Sequence, residues 1–150
     1  MARVINCNQQ LNIDFFEAVR RGDLAAIKFY VHVGADVNFI CNTKVRWTPL
    51  MFLTSYAGFS GPAVYANVSQ IVRLLVKAGA DVNHQTANGM TALMRASYYG
   101  LMDVVTALLE AGANPVITDK KGRTAFTFAG YARNEHIITL LNSVTKSGIV

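Results

Sequence analysis

Between Thr48 and Val72 the chain carries no Asp, Glu, Lys or Arg at all. A stretch so poor in charge raises the question of a membrane span, which needs about 20 predominantly apolar residues. Ser55, Ser60, Asn67, Ser69 and Gln70 interrupt the run, and Gly61-Pro62 would break a helix at its centre, so its own residues exclude a span. Cysteine is almost missing: Cys7 and Cys41 follow no metal or disulfide spacing and fit thiols in a reducing compartment. The start, MARVINCNQQ, lacks the apolar core of a secretory signal. Catalytic patterns are missing too. There is no HExxH, P-loop, GxSxG or paired-carboxylate motif, and His32, His84 and His136 belong to unrelated parts of the chain. The expectation is a protein that is not an enzyme and holds no cofactor or metal.

What is present suits one globular domain. Of 150 residues, 52% are hydrophobic and 15% charged, with 14 Lys and Arg against 9 Asp and Glu, a net charge of +5 and a pI near 9.4. That excess is a modest bias towards acidic partners.

The chain repeats itself. Gly89 recurs as Gly122, Thr91 as Thr124, Ala96 as Ala129 and Leu108 as Leu141, a period of 33 residues. Gly112-Ala113-Asn114 likewise matches Gly79-Ala80-Asp81, and VGADVN at 33–38 matches AGADVN at 78–83, although that last spacing exceeds the period by about 12 residues. Thr followed by Pro or Ala starts a helix by capping an orphan N–H. Leu93, Ala96 and Ser97 offer a narrow face for close helix approach, and Val104, Val105, Leu108 and Leu109 form a buried stripe after the Gly100 turn. Gly112 supplies a left-handed helix end. One such helix pair cannot bury its apolar face alone, so neighbours must stack.

These residues resemble the ankyrin repeat. Its TPL helix start stands as Thr48-Pro49-Leu50, Thr91-Ala92-Leu93 and Thr124-Ala125-Phe126, and its GADVN end stands at 34–38 and 79–83 and, degraded, at 112–116. The resemblance implies an all-α solenoid of helix-turn-helix units with β-hairpin-like fingers. Four units are expected, at about 12–38, 39–83, 86–116 and 119–146, in a single domain over 1–150. The first helix is expected to begin through Asn12 or Asp14. The ends read as caps of a complete domain: the first unit lacks TPL, and Asn134, Glu135, His136, Asn142 and Ser143 make the last second helix polar. Family members often carry His after TPL, linking neighbouring repeats; here Met51, Met94 and Thr127 stand there, so packing is expected to replace that network.

The second unit is longer than the others, with about ten residues added near 58–67 and two in the finger FICNTKVRW before it. Gly58, Ser60, Gly61 and Pro62 favour a loop from Gly58 to about Pro62, followed by a helical turn. The spacing of Val64, Val68, Ile71, Val72 and Leu75 also allows a second helix that starts early. Lengthening a connection in this way costs only about 1 kcal/mol of closure entropy, so a neutral insertion and a functional one both remain open.

In ankyrin folds the fingers and the exposed side of the first helices form a concave groove, where binding usually occurs. Carried over by position, the groove would contain Arg20, Arg21, Lys44, Arg46, Trp47, Tyr56, Met90, Tyr98, Tyr99, Lys120, Lys121, Arg123 and Tyr131, with Phe59 and Tyr65 of the insertion at its far rim. Seven of the 14 basic residues and no acidic one belong to this set. Tyr, Trp and Arg dominate binding hot spots because they join large contact area to polar tips. The resemblance implies a protein-interaction module, monomeric and cytoplasmic or delivered into a host cell, that binds a protein of acidic or mixed surface as adaptor, inhibitor or effector. Nucleic-acid or other polyanion binding through the basic fingers is the alternative reading. It is weakened by the spread of those residues over several units and by the lack of a nucleic-acid motif.

Overall fold

The computed structural model describes residues 7–41, 44–60 and 67–146, without the side chains of residues 7 and 58–60. Among these residues the chain is all-helical: α1 (Cys7–Arg21), α2 (Leu24–His32), α3 (Pro49–Ser60), α4 (Val68–Lys77), α5 (Ala92–Tyr99), α6 (Met102–Glu110), α7 (Ala125–Tyr131) and α8 (Glu135–Lys146). The helices form antiparallel pairs, and the pairs stack so that α1, α3, α5 and α7 make one row and α2, α4, α6 and α8 a second.

Local chemistry starts these helices. The hydroxyl of Thr91 accepts from the Met94 N–H at 3.3 Å, and Thr48 accepts from Met51 at the same distance. The return arm of the capping box is unusual. Thr91 N–H donates to the Met94 sulfur at 3.4 Å, and Thr124 N–H to the Thr127 hydroxyl at 3.2 Å. The second helices supply the deepest core. Ile71, Val104 and Ile137 share one register position and Leu75, Leu108 and Leu141 another, all buried. Each fully buried side chain of this size contributes about 1.5–3 kcal/mol.

Two expectations are corrected. α1 begins at Cys7 rather than at Asn12 or Asp14, so the first unit starts upstream of residue 12. Asn12 lies inside the helix and accepts from the Asp36 N–H at 2.8 Å, while Asp14 accepts from Gln10 one turn earlier. Secondly, Gly58 to Ser60 are helical and not a loop. The reason is visible in the register. Gly22 and Gly100 end the first helices at φ 68° and 70°, and Arg133 holds the same slot in the last unit at φ 53°. In the second unit that slot is Ala57, which is buried and helical, so α3 runs on to Ser60. α4 starts at Val68, with Asn67 before it. The rest of the expected insertion, including Pro62, Val64 and Tyr65, lies outside the described residues.

The fingers are tight, hairpin-like turns. Cys41 N–H bonds to the Trp47 carbonyl, Thr86 to Met90 and Asp119 to Arg123, at 3.0, 2.9 and 2.9 Å. The first finger spans two residues more than the others, as its spacing predicts. Left-handed backbone turns each finger, at Gly89, at Gly122 and, in the first, at Arg46 with φ 57°.

Neighbouring units are tied by an asparagine ladder. Asn38 accepts from the Asp81 N–H at 2.8 Å and donates to the Gly79 carbonyl at 3.0 Å; Asn83 does the same to Asn114 and Gly112 at 2.8 and 3.2 Å. Asp36, Asp81 and Asn114 each close their own finger start by accepting a backbone N–H two residues on. Part of the work expected of packing is therefore done by these hydrogen bonds.

Candidate functional site

The first-helix row packs more closely than the second-helix row. Ala92, Ala96, Ala125 and Ala129 are buried between its helices and leave little bulk to hold them apart. A stack drawn tighter on one side curves towards that side, which places α1, α3, α5 and α7 on the inner face.

Aromatic side chains run along this face. Phe16 of α1 meets Phe52 of α3 at 4.9 Å, and Phe52 stacks on Tyr56 at 5.3 Å and meets Trp47 of the first finger at 6.3 Å. In the next two units Tyr98 meets Phe128 at 6.3 Å, and Phe128 meets Tyr131 at 6.0 Å. Tyr56, Tyr98 and Tyr131 come from successive inner helices and are 40%, 48% and 60% exposed. Tyr99 leans edge-on against Tyr98 and is half-buried, as are Trp47 and Met90. The exposed Tyr56, Tyr98 and Tyr131 each combine a large apolar ring with a polar hydroxyl, a form suited to contact with another protein.

The charges divide into held and exposed ones. Arg20 is paired with Glu17 at 2.8 Å. Arg123 grips Asp119 through Nε at 2.8 Å and Nη2 at 2.6 Å, with its guanidinium 4.8 Å from the Phe128 ring centroid. Burial pushes the Asp119 carboxyl up, but hydrogen bonds from the Arg123 side chain and from the Arg123 and Lys121 N–H groups outweigh it and hold the group below its ordinary value. Glu17 is held down chiefly by its hydrogen bond from Arg20. Acidic partners therefore offset two of the predicted groove cations. Arg21, Lys44, Arg46, Lys120 and Lys121 are exposed. Arg46 and Lys120 also border a cleft of about 380 Å³ between the fingers, with Gln85, Ala87, Thr118 and Asp119.

Of the sequence-predicted residues, the structure brings Trp47, Tyr56, Tyr98, Tyr99 and Tyr131 onto the inner face and Arg46, Met90, Lys120 and Lys121 onto the fingers. Arg20 and Arg21 end α1 at one edge of the stack. The Phe59 side chain and Tyr65 lie outside the described residues. Sequence reasoning missed Arg95, whose guanidinium lies 5.5 Å from the Trp47 ring centroid. Its signal was in the repeat, because Arg95 is the counterpart of Phe128 one period on.

The three histidines stay apart. His32 and His136 are exposed on α2 and α8, and His84 bonds to the Arg46 carbonyl at 2.8 Å. Among the described residues no three His, Cys, Asp or Glu side chains gather to hold a metal, and no helix is long and apolar enough to cross a membrane.

Stacked helix pairs, finger turns and an asparagine ladder define a solenoid repeat scaffold. Comparison with known proteins agrees: the family model described as ankyrin repeats, in three copies, matches residues 62–148. An ankyrin repeat protein of Acanthamoeba polyphaga mimivirus is 34% identical over 121 residues, which cover 81% of this chain and 68% of the relative. An E3 ubiquitin-protein ligase of Arabidopsis thaliana is 36% identical over 65% of this chain, and an ankyrin repeat and SAM domain-containing protein of Rattus norvegicus is 33% identical over 75%. The matches span only 22% and 12% of those two longer proteins. The chain belongs to the ankyrin repeat family, whose members are generally protein–protein interaction modules.

Proposed function

We propose that this chain is a single four-unit, non-catalytic module that binds another protein across its inner face and fingers, acting through that contact as an adaptor, inhibitor or effector. The observation that carries the reading is the exposed tyrosine series Tyr56, Tyr98 and Tyr131, one from each of three successive inner helices, beside the half-buried Trp47. Exposed cations at the fingers favour a partner of acidic or mixed surface. A cytoplasmic setting fits Cys41, a thiol that donates to the Trp47 carbonyl at 3.0 Å.

The test is affinity capture with the intact chain, followed by titration of the purified partner against variants. Trp47→Ala combined with Tyr98→Ala should weaken binding by about 30-fold or more, the effect of losing hot-spot side chains, with the helical circular dichroism retained. Because Trp47 also packs on Phe52, Tyr98→Ala alone serves as a second variant with less structural cost. Undiminished affinity in both variants places the contact elsewhere.

Polyanion binding is the second reading, favoured by the adjacent exposed Lys120 and Lys121. The pairing of Arg123 with Asp119 and of Arg20 with Glu17 argues against it. Several phosphate contacts would give a steep loss of affinity with added salt, whereas a protein partner held by aromatic contacts gives a shallow one.

A further inference from the structure

Arg95 stands where an aromatic ring belongs. Its counterparts one repeat away on either side are Phe52 and Phe128, and each of those rings is joined to an aromatic neighbour of the inner face. In the central unit a cation replaces the ring. The guanidinium lies against Trp47, and its Nε–H is buried without a hydrogen-bond acceptor. Arg20, Arg73 and Arg123 are matched by Glu17, Glu110 and Asp119, whereas among the described residues no carboxylate pairs with Arg95.

An unpaired guanidinium donor in a half-buried place weakens the fold, a cost that its contact with Trp47 offsets only in part. Nε itself is closed to a partner, but the two terminal nitrogens of the guanidinium are not buried with it, and a bound carboxylate would pair with them. The planar fork of arginine suits two parallel bonds to such a group, and Trp47 holds the fork in place before binding. Tyr98, one turn further along α5, and Tyr56, on the neighbouring helix, stand exposed to take apolar side chains beside the acid.

We infer that Arg95 is the specificity-determining residue of the inner face, and that it pairs with an Asp or Glu side chain in a partner segment whose adjacent residues are aromatic or branched aliphatic. The inference rests on the interaction-module reading above and narrows it to one chemistry.

Selection of random linear peptides on phage against the intact chain tests it. The enriched peptides should share one acidic position next to an aromatic or branched aliphatic residue. Their synthetic copies should lose at least about tenfold in affinity on Arg95→Met, the loss expected for a charge-assisted hydrogen bond, and also lose affinity on Tyr98→Ala. Arg73→Met, in the outer row, should change nothing. Arg95→Glu should reverse the preference, binding the Lys version of the peptide better than its Asp or Glu version. Arg95→Met should meanwhile shift the melting temperature by no more than about 4 °C in either direction, because relief of the buried unpaired donor and loss of the Trp47 contact oppose each other.

Peptides without a shared acid, or peptides that bind Arg95→Met as well as the parent, overturn the assignment. If those peptides still fail on Tyr98→Ala, the inner-face reading survives without it. Enrichment of no peptide, or of peptides indifferent to both variants, overturns the two together.

Discussion

Gly89 and Gly122 turn successive fingers with nearly the same backbone, φ 80° and 72°, but only one of them is crowded. A methyl group added at Gly89 would lie 2.9 Å from the Asp119 Cα and 3.0 Å from the Lys120 nitrogen, both backbone atoms that cannot swing aside. A methyl at Gly122 would meet nothing within 4 Å. Both substitutions to alanine pay the left-handed penalty, about 1–2 kcal/mol. Gly89→Ala must in addition push the next finger away, at an overpacking cost of about 1–3 kcal/mol. It also strains the Lys120 N–H bond to the Asn88 carbonyl, now 3.0 Å. The expected losses are therefore about 1–2 kcal/mol for Gly122→Ala and about 2–5 kcal/mol for Gly89→Ala. Urea unfolding followed by far-ultraviolet circular dichroism reads both, and equal slopes would show that the difference lies in stability alone. Equal losses in the two variants would refute the claim that close contact between fingers, beyond the turn itself, demands glycine at position 89.

Three other perturbations probe the same framework. Arg46→Gly should stabilise the fold by about 1 kcal/mol by relieving the left-handed strain, measured as a higher melting temperature. Asn83→Ala removes two bonds between units and should cost about 2 kcal/mol, whereas Asn12→Ala, which removes one bond within the first unit, should cost about 1 kcal/mol in the same unfolding assay. Asp119 has a folded-state pKa below its ordinary 3.8, so the unfolded chain binds the proton more readily; its stabilisation is present above that value and is lost as pH falls through the lower folded one. Asp119→Asn should therefore lower stability at neutral pH and flatten its decline in acid, and an unchanged acid slope would count against the Asp119–Arg123 pair.

The repeat plan was legible because its signals are local. A threonine cap, a glycine turn and a stripe of Val and Leu act within one unit, and recurrence at the 33-residue period multiplies each signal. The two extra finger residues followed from counting between motifs. The extension of α3 was legible in principle, since Ala57 stands where Gly22 and Gly100 turn the chain, but the nearby Gly58 and Pro62 drew attention to a loop. The start of α1 was obscured for a similar reason: Asn12 and Asp14 look like caps, and only their partners show them to be mid-helix residues.

The partnerships between units had no such local signal. Asn38 and Asn83 reach the following unit's carbonyl and N–H, a contact made only by stacking. The resemblance, carried over by position, placed Arg20 and Arg123 among the groove cations, whereas the fold brings Glu17 and Asp119 to them.

Sequence alone determined the unit, its period and the positions that must face solvent or core, because helix caps, left-handed turns and apolar spacing depend on neighbours along the chain. Tertiary structure decided which charges are spent within the fold and which are left over. That separation depends on distances between side chains from different units, and it singles out Arg95 against Trp47 as a cation with its buried donor still unmatched.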